Sequence, residues 1–549
     1  MNAPLEQSYW PAEKSAGVRD ITLPELLREA AAEAPDHLAL VDAVPEPENR
    51  RHWTYAEFLA DVEQSAKALL GRFAPGDRIA VWAPNSADWV ILQQAISMAG
   101  MVLVAANPAY RQRELEYVLE KSRAKVLFYV DSYRGDQLGP IVEAARQAAP
   151  ELREVITLQR WLELVAQADP AQELPQVNPT DTVQVQYTSG TTGFPKGALL
   201  HHKGIVNEAS FVAERAGFGS DGVCINAMPM YHIGGGAVTE LATISHKGTY
   251  VVMPAFHPGM TLELFETYRG THSLMVPTML LAVLEHPDCA SRDMSSVQTI
   301  MSGAAPVSQA LVEKVTKLWK CNFSILFGQT EAHGVTNQTR VTDSAQDQAN
   351  TVGQPLPELE IKIIDPATGE IMPIGEQGAI CARGYQVMLG YDQMPEQTSA
   401  TIDDEGWLHM GDLGTMDERG FMRITGRMKD MIIRGGLNIY PLEIEVFLQE
   451  HSAFADVVVL GTPSEKWGEE VAAVVRLKQG EKAPSPEALK EWCHERIAAH
   501  KIPSRWFYTS EYPATPSGKI QRFALLEQIQ QGELVAAPPA AHRSPEKTH

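Results

Sequence analysis

The residues best suited to chemistry lie in one short stretch, Tyr187-Thr-Ser-Gly-Thr-Thr-Gly-Phe-Pro-Lys-Gly197, which combines hydroxyl side chains, glycines and one lysine. Glycines let the backbone approach an anion closely, while amide N–H groups, hydroxyls and an ammonium donate hydrogen bonds to phosphate oxygens. Residues 181–187 alternate like a strand, and Leu199 to Ala216 is predicted to be helical. The stretch therefore predicts a triphosphate-binding loop at the exit of a strand.

This loop differs from the P-loop pattern G-x-x-x-x-G-K-[ST], because Pro195 stands where that pattern needs its second glycine. A cluster of Gly, Ser and Thr is by itself also typical of an ordinary surface turn. The lysine at its end and the motifs that follow it along the chain favour the phosphate-binding interpretation.

Five further motifs follow in a fixed order. They are Phe327-Gly-Gln-Thr-Glu331, Trp407-Leu-His-Met-Gly-Asp412, Gly426-Arg-Met-Lys-Asp430, Arg434-Gly-Gly-Leu-Asn438 and Pro516-Ser-Gly-Lys519. Together with the first loop, their order and spacing resemble the AMP-forming acyl-CoA synthetases, within the adenylate-forming superfamily that also holds nonribosomal-peptide adenylation domains and luciferases. The resemblance extends from about Leu23 to Arg522.

The resemblance implies an α/β fold with a large, multi-layered N-terminal domain and a smaller, mobile α+β C-terminal domain. We expect a large domain over residues 19–429 and a small one over 430–532, with a hinge at Asp430. Residues 1–18 are predicted to be flexible and residues 533–549 to be a disordered tail, because neither segment shows apolar periodicity.

Local patterns in the first 150 residues independently favour a layered α/β architecture. Thr54-Tyr-Ala-Glu57 is a capping box that predicts the start of a helix. Residues 77–82 and 102–106 are predicted to be buried strands, and Asn85 is predicted to cap the helix between them.

The family chemistry activates a carboxylic acid, which is inert to thiols because its negative charge repels nucleophiles. The resemblance implies attack of the carboxylate on the α-phosphate of ATP, which gives an acyl-adenylate and pyrophosphate. CoA then displaces AMP to form the thioester. The first step brings anions together, so electrostatic stabilisation and positioning should matter more than proton transfer. The implied small molecules are a carboxylic acid, ATP, Mg²⁺ and coenzyme A.

By resemblance, the first loop holds the β- and γ-phosphates, with Thr188 and Lys196 in catalytic roles. Glu331 corresponds to the family's magnesium ligand, which suits a hard cation that takes few protein carboxylates. Thr330 would contact a phosphate oxygen. The remaining phosphate-binding residues of this set are Ser189, Gly190, Thr191, Thr192 and Gly193.

By resemblance, separate residues bind the adenine and the ribose of ATP. Phe327 offers a face for adenine stacking. Asp412 would accept hydrogen bonds from both ribose hydroxyls, as an ionised carboxylate can, and Arg427 would complete the ribose and phosphate contacts. The resemblance adds Gly303, Ala304, Ala305, Gly328 and Ile424 to the nucleotide site.

Lys519 is the residue that the resemblance makes central to catalysis: it would bridge the substrate carboxylate and the α-phosphate. A point charge on a flexible stem suits this task. The small domain would then rotate about Asp430 and bring Arg434, Gly435 and Gly436 to the CoA side. Acetylation by a lysine acetyltransferase would remove the Lys519 charge, and we predict that it stops adenylation.

The acyl pocket is the least specific part of the assignment. His232 would orient the carboxylate beside the aromatic Tyr231, and small residues would leave room for the acyl group. The pocket set is Tyr231, His232, Val276, Ser302, Gly303, Ala332, His333 and Gly334.

Composition narrows the class of protein. A chain of 549 residues should form two or more domains, and a formal charge of −23 argues against a nucleic-acid partner. Five single cysteines without a C-x-x-C pair fit reduced thiols and a cytoplasmic location. No apolar run reaches 18 residues, so integral membrane association is not expected. A homodimer is the default expectation from symmetry statistics.

Three positions depart from the residues common in the family, namely Met410, Ile433 and Leu437. They leave the CoA-side contacts and the balance of the half-reactions open. The alternatives are an enzyme specialised for adenylation or thioester formation alone, adenylation for a separate carrier protein, a luciferase-like oxygenase, and a nucleotide sensor without turnover.

Overall fold

A computed structural model describes residues 4–12, 17–188, 195–494, 496–514 and 520–537. The chain alternates strands with helices and divides into two compact units. The larger unit comprises residues 1–362, 381–410 and 416–422, and the smaller comprises 363–380, 411–415 and 423–549. The predicted α/β class, with a large N-terminal and a smaller C-terminal domain, is confirmed, whereas the exact boundary and the hinge at Asp430 stay predictions.

Most strands are short. The strands are β1 (Tyr9–Trp10), β2 (Leu38–Asp42), β3 (Arg51–Thr54), β4 (Arg78–Trp82), β5 (Val102–Ala106), β6 (Val126–Tyr129), β7 (Ser132–Tyr133), β8 (Asp136–Gln137), β9 (Glu154–Thr157), β10 (Thr182–Thr188), β11 (Lys196–His201), β12 (Val223–Asn226), β13 (Thr249–Val252), β14 (His272–Leu274), β15 (Thr299–Gly303), β16 (Asn322–Phe327), β17 (Asn337–Gln338), β18 (Gln354–Pro355), β19 (Glu360–Ile364), β20 (Gly378–Arg383), β21 (Gly390–Tyr391), β22 (Leu408–Met416), β23 (Met422–Arg427), β24 (Ile432–Arg434), β25 (Leu437–Ile439), β26 (Phe454–Ser464), β27 (Gly468–Leu477) and β28 (Arg505–Tyr508).

The helices connect these strands. They are α1 (Leu23–Glu33), α2 (Tyr55–Leu70), α3 (Ala87–Met98), α4 (Gln112–Ser122), α5 (Gly139–Ala148), α6 (Leu158–Val165), α7 (His202–Arg215), α8 (Glu240–Ser245), α9 (Pro258–Thr267), α10 (Pro277–Glu285), α11 (Gln309–Trp319), α12 (Ala345–Asn350), α13 (Pro395–Thr401), α14 (Pro441–Leu448), α15 (Pro486–His494) and α16 (Arg522–Gln531). None of the helices in the described part of the chain is long and apolar enough to cross a bilayer.

Two large sheets form the frame of the larger unit. One has the strand order β18-β17-β16-β15-β14-β12-β13-β2-β3 and is parallel from β16 to β2. The other has the order β21-β11-β10-β5-β4-β6-β9, and its strands from β10 to β9 are parallel. Parallel strands buried on both faces require apolar sequences, and β4 and β5 meet this requirement with almost fully buried side chains.

The capping box at Thr54 is confirmed: its hydroxyl accepts a hydrogen bond from the Glu57 N–H, and the Glu57 carboxylate accepts one from the Thr54 N–H. The predicted cap at Asn85 is wrong by one residue, because Ser86 caps α3. The Asn85 side chain instead donates to the Met228 carbonyl and accepts from the Met230 N–H. These two long-range hydrogen bonds fix the segment that leads into Tyr231. A local sequence pattern could not reveal them.

The helix predicted from Leu199 to Ala216 begins later, at His202, because β11 precedes it. β11 pairs with β10 on one side and with β21 on the other. Its Ala198 and Leu200 side chains are completely buried. Strand pairing therefore overrides a sequence that looks helical, and His201 caps α7 by accepting the Gly204 N–H through its ring Nδ1.

Both chain ends contain more structure than predicted. Within residues 1–18, Tyr9–Trp10 pairs antiparallel with β19, and the Tyr9 hydroxyl donates to Glu360 at 2.6 Å. Within residues 533–549, Ala536 bridges to Phe507, and the Ala537 N–H donates to the Trp506 carbonyl. Backbone pairing anchors both short segments, while residues 538–549 lie outside the described residues.

The smaller unit has its own antiparallel sheet, in the order β25-β24-β27-β26, and β28 adds to β27 in parallel. The pair β26 and β27 runs for about the full length of both strands, from Phe454↔Leu477 to Ser464↔Gly468. Helices α14 and α15 cover one apolar cluster on this sheet, and α16 covers another. The unit therefore has a core that is built from its own residues.

Candidate active site

Predicted site residues gather at one edge of the nine-stranded sheet. His232 follows β12, Val276 follows β14, Ser302 lies at the end of β15, and the Phe327 motif follows β16. These four strands are parallel neighbours in the sheet. The carboxyl ends of parallel strands meet at the same edge, which is where open α/β sheets bind ligands.

The adenine side is built on two glycines that allow close backbone packing. A Cβ at Gly303 would collide with the Leu326 carbonyl oxygen, and one at Gly328 would collide with the Gly334 carbonyl oxygen. Ala304 adopts a φ of 62°. Ala304 and Ala305 are exposed, and the Phe327 ring is half-buried. A tight turn and an aromatic side chain thus lie at the ends of adjacent strands, as adenine stacking requires.

The phosphate side centres on Lys196, Glu331 and Tyr391. The Tyr391 hydroxyl donates to Glu331 Oε1 at 2.7 Å. The Lys196 Nζ lies 4.8 Å from the centroid of the Tyr391 ring. Thr188 ends β10 directly opposite Lys196 in the hairpin register. A cation, a carboxylate and a hydroxyl therefore converge where the sequence predicts phosphate binding, whereas Ser189, Gly190, Thr191, Thr192 and Gly193 lie outside the described residues.

The ionisation of Tyr391 supports a donor role for its hydroxyl. Burial, followed by the nearby Glu331 carboxylate, raises the pKa of Tyr391. The hydroxyl consequently stays protonated at neutral pH and can donate its hydrogen bond to the Glu331 side chain.

The residues present fit a magnesium ion held jointly with a nucleotide. Thr330 and Glu331, the last two residues of the Phe327 motif, lie in one short 3-10 turn, Thr330–Ala332. The described residues contain no group of three or more His, Cys, Asp or Glu side chains that could hold a metal alone. Mg²⁺ commonly binds one or two carboxylates and takes its other ligands from phosphates and water.

The Tyr231–His232 turn is fixed from several directions. Gln186 of β10 donates to the Tyr231 carbonyl at 2.7 Å. The His232 ring Nδ1 accepts the Gly234 N–H at 3.2 Å, and the ring is half-buried. A π-helix at Gly234–Thr239 follows, a form that is frequent at functional sites. Burial raises the pKa of Tyr231, which keeps its hydroxyl neutral.

The predicted acyl residues are mostly buried. Val276 and Ala332 are buried apolar side chains, and Gly334 adopts a φ of 137° against the Glu208 side chain. The Ser302 hydroxyl is fully buried and has no hydrogen-bond partner among the described residues. Glu208 is completely buried, and burial raises its pKa well above the ordinary value, so its carboxyl is neutral.

His333 uses both ring nitrogens within the fold. Its Nε2 accepts the His201 backbone N–H at 2.9 Å, and its Nδ1 therefore carries the proton that it donates to the Gln386 carbonyl at 2.7 Å. Burial lowers the pKa of His333 well below its usual range, so the ring is neutral. The ring braces the loop after Glu331 and has no nitrogen left to bind a polar substrate group.

Gly204→Ala should destabilise the protein, because a Cβ at Gly204 would lie 2.6 Å from His333 Nε2. Overpacking lowers the free energy of unfolding by about 1–3 kcal/mol, and each lost ring hydrogen bond lowers it by about 1 kcal/mol. The higher helix propensity of alanine offsets about 1 kcal/mol of this loss. We expect the free energy of unfolding, measured by urea denaturation, to fall by about 2 kcal/mol. Gly71→Ala is the matched control: Gly71 ends a helix with a φ of −67°, and a Cβ there would lie no closer than 3.6 Å to a neighbouring atom. Equal effects of the two changes would contradict the clash.

The ribose pair lies in the smaller unit. The Arg427 Nε lies 2.9 Å from Asp412 Oδ1, and the Asp412 side chain is 6% exposed. Ile424 lies in the same strand as Arg427, and its side chain is half-buried. A carboxylate accepts hydrogen bonds and donates none, which suits the recognition of two ribose hydroxyls.

The hinge candidate Asp430 is tied to the helix that begins at Arg522. Arg522 lies 3.5 Å from Asp430 Oδ2 and bonds both oxygens of the buried Glu445, at 2.6 and 2.9 Å. Arg522 begins α16, three residues after Lys519. The start of α16 is therefore anchored beside Asp430, while Lys519 itself lies outside the described residues.

The predicted CoA-side residues form a tight hairpin between β24 and β25. The Arg434 guanidinium lies 4.9 Å from the Trp467 ring centroid. Gly435 has a φ of 57°, and a Cβ there would lie 2.8 Å from the Trp467 ring. Gly436 has a φ of 83° and open space around it. Glycine is thus required by backbone conformation at both positions and by close packing at Gly435.

Sequence reasoning missed three residues that organise the site: Tyr391, Gln186 and Gly204. Gly390-Tyr391 lies outside every motif, and its contact with Glu331 spans 60 positions along the chain. Gln186 stands inside the strand before the predicted phosphate-binding stretch, and strand alternation alone does not single it out. These residues matter through contacts between distant segments, and one sequence does not reveal such contacts.

Comparisons with known proteins agree with this geometry. The family model described as AMP-binding enzyme matches residues 27–392, and the model for the AMP-binding enzyme C-terminal domain matches residues 443–519. YngI of Bacillus subtilis (strain 168), an acyl-CoA synthetase by name, is 38% identical over 92% of this chain and 97% of its own length. The mitochondrial medium-chain acyl-CoA ligase of Bos taurus is 36% identical over 93% of this chain and 88% of its own.

Solved structures show the same fold. ATP-bound MatB from Rhodopseudomonas palustris superposes with a TM-score of 0.84 at 27% identity and covers 93% of this chain and 99% of its own. The o-succinylbenzoate CoA synthetase of Bacillus subtilis, in complex with its acyl-adenylate intermediate, superposes with a TM-score of 0.79 at 27% identity. The match covers 92% of this chain and 98% of that enzyme. On the matched family models and these relatives, the chain belongs to the AMP-binding enzymes that act as acyl-CoA synthetases.

Proposed function

We propose that the acid activated by this enzyme is a medium-chain fatty acid. The enzyme is an acid–thiol ligase: it converts a carboxylic acid and ATP into an acyl-adenylate and pyrophosphate, and then forms acyl-CoA and AMP with CoA. The apolar character of the predicted acyl pocket is the observation that carries the choice of acid. The medium-chain acyl-CoA ligases among the relatives support it by their names.

The acyl pocket presents few groups that could bind a second polar end of a substrate. Both ring nitrogens of His333 are bonded to the backbone, and Glu208 is neutral and enclosed. Val276 and Ala332 are apolar, and Ser302 supplies one buried hydroxyl that has no hydrogen-bond partner among the described residues. An unbranched alkyl chain leaves no polar group of its own unpaired in such surroundings.

In the first half-reaction, Lys196 and Thr188 would hold the terminal phosphates, and Glu331 would hold Mg²⁺, which neutralises phosphate charge when bound. Asp412 would accept the ribose hydroxyls, and the acid's carboxylate would lie near His232. One carboxylate oxygen forms a bond to the α-phosphorus while the bond from that phosphorus to the bridging oxygen breaks, and pyrophosphate leaves. Lys519 would stabilise the charge that develops between the two anions.

In the second half-reaction, the thiol of CoA would lose its proton and attack the acyl carbon. The carbon–sulfur bond forms while the bond to the adenylate oxygen breaks, and AMP leaves with that oxygen. We propose that rotation about Asp430 exchanges Lys519 for the Arg434-Gly435-Gly436 hairpin between the steps. The φ values of 57° and 83° at the two glycines suit a backbone that lets a thin pantetheine chain pass.

Three further proposals concern the setting of the enzyme. A cytoplasmic location is supported by five free cysteines, four of them buried, whereas the medium-chain relatives have "mitochondrial" in their names. A homodimer follows from symmetry statistics alone, and light scattering would test it. A lysine acetyltransferase acting on Lys519 would switch off adenylation by removing its charge.

Chain-length dependence tests the proposed substrate. We expect kcat/KM for linear acids to rise roughly fourfold with each added methylene up to the length that fills the pocket. Octanoic acid should therefore exceed butyric acid by about two orders of magnitude, and palmitic acid should fall below octanoic acid. Benzoic and anthranilic acids serve as controls. A flat profile, or higher values for the aromatic acids, would contradict a medium-chain substrate.

A further inference from the structure

We propose that Tyr391 is a positioning residue for the adenylation step: its hydroxyl orients the Glu331 carboxylate, and its ring face holds the Lys196 ammonium. The inference rests on the proposed roles of Glu331 in magnesium binding and of Lys196 in phosphate binding. It concerns a residue outside all six sequence motifs.

The hydroxyl contact restricts the carboxylate. The Tyr391 hydroxyl oxygen lies 2.7 Å from Glu331 Oε1, and Tyr391 is buried, with 8% of its surface exposed. A carboxylate that accepts one fixed hydrogen bond still has lone pairs for a metal ion. Such hydrogen bonds to metal-ligating carboxylates set the orientation of the ligand and its affinity for the metal.

The ring contact restricts the ammonium. The Lys196 Nζ is 4.8 Å from the ring centroid, within the roughly 6 Å over which an aromatic face attracts a cation. Tyr391 pairs directly with Ala198 in the sheet. Because side chains two apart on a strand point to the same face, Lys196 is a diagonal neighbour of Tyr391 on that face.

Tyr391 is itself held firmly. Its N–H donates to Thr398 Oγ1 at 2.9 Å, and the next N–H, from Asp392, donates to the Gly197 carbonyl at 2.8 Å. The Asp392 carboxylate forms an ion pair with Arg78, and the distance from Arg78 Nη2 to Asp392 Oδ1 is 2.8 Å. The Met388 N–H also donates to the Glu331 carbonyl at 2.9 Å. One short segment therefore fixes the backbone of Glu331 and presents the ring that joins its side chain to Lys196.

The plain alternative is a tyrosine that only stabilises the fold. Such a residue would affect the free energy of unfolding and leave the magnesium dependence of nucleotide binding unchanged. A positioning residue would change that dependence in a protein that remains folded. The two roles therefore differ in an equilibrium binding measurement that involves no turnover.

The experiment titrates a non-hydrolysable ATP analogue into the full-length protein at a series of Mg²⁺ concentrations, without acid or CoA, by calorimetry. Tyr391→Phe removes the hydroxyl alone. We expect the Mg²⁺ concentration at half-maximal nucleotide binding to rise about tenfold or more, while affinity without Mg²⁺ changes less than about twofold. Tyr391→Leu removes the ring as well and should also weaken binding without Mg²⁺ by about threefold.

Tyr55→Phe is the matched control. Tyr55 is fully buried, and its hydroxyl donates to the Gly248 carbonyl at 2.9 Å. It should lower the melting temperature and leave the Mg²⁺ midpoint as in the wild type. A Tyr391→Phe protein with a wild-type Mg²⁺ midpoint, whatever its melting temperature, would overturn the inference. Wild-type binding that is indifferent to Mg²⁺ would instead overturn the proposed magnesium role of Glu331 and this inference with it.

Discussion

Lys519→Ala should reduce acid-dependent pyrophosphate release by about 10²–10³-fold, the usual cost of removing one group that stabilises transition-state charge. Thioester formation from a supplied acyl-adenylate should remain close to the wild-type rate, because the thiol then attacks the acyl carbon and no nucleophile attacks the α-phosphorus. The difference between the half-reactions is the expected result. It follows from assigning Lys519 to the first step alone, and quench-flow measurement of each step checks it.

Lys490→Ala provides the matched control, since Lys490 is an exposed lysine in α15 of the same unit. It should leave both half-reactions unchanged. Acetylation of Lys519 in vitro should reproduce the effect of Lys519→Ala, because both changes remove the charge. Equal losses in the two half-reactions would show that Lys519 acts on the fold or on both steps, and would contradict its assignment.

Glu331→Gln should cost a similar factor, about 10²–10³-fold in pyrophosphate release. Glutamine keeps the size of the side chain and an oxygen that can accept the Tyr391 hydroxyl, so the local packing should survive. It loses the negative charge that suits Mg²⁺. We therefore expect the Mg²⁺ dependence of nucleotide binding to disappear in the variant, as measured by the same calorimetric titration.

Glu313→Gln is the control for this change, because Glu313 is an exposed carboxylate on α11. Its nucleotide binding should keep the wild-type magnesium dependence. If Glu331→Gln also kept that dependence, the metal would have to bind elsewhere. This result would contradict the role of Glu331 as a magnesium ligand.

The sequence predicted those features that depend on short-range rules. The capping box at Thr54 and the strands near residues 78–82 and 102–106 are present as expected. Motifs at the ends of parallel strands also meet as expected, because β15 and β16 are neighbours and carry Gly303 and Phe327 at their ends. Such features follow from local hydrogen bonding and from the geometry of a parallel sheet.

Other features depend on contacts between distant segments. Residues 199–201 look helical by pattern but belong to strand β11, because two neighbouring strands supply hydrogen bonds to β11. His333 is predicted to be a pocket residue, but both of its ring nitrogens form hydrogen bonds with the backbone of His201 and Gln386. Tyr391 gains its importance only when β21 joins β11. Neither periodicity nor spacing carries information on these pairings.

The most direct test of a two-step ligase is to follow the carboxylate oxygen. Octanoic acid labelled with ¹⁸O in its carboxylate would be converted with ATP, Mg²⁺ and CoA, and the AMP and pyrophosphate analysed by mass spectrometry. Attack on the α-phosphorus predicts one ¹⁸O atom in each AMP, none in pyrophosphate, and acyl-CoA in equal amount to AMP. Label in pyrophosphate or inorganic phosphate, or unlabelled AMP, would contradict an acyl-adenylate intermediate.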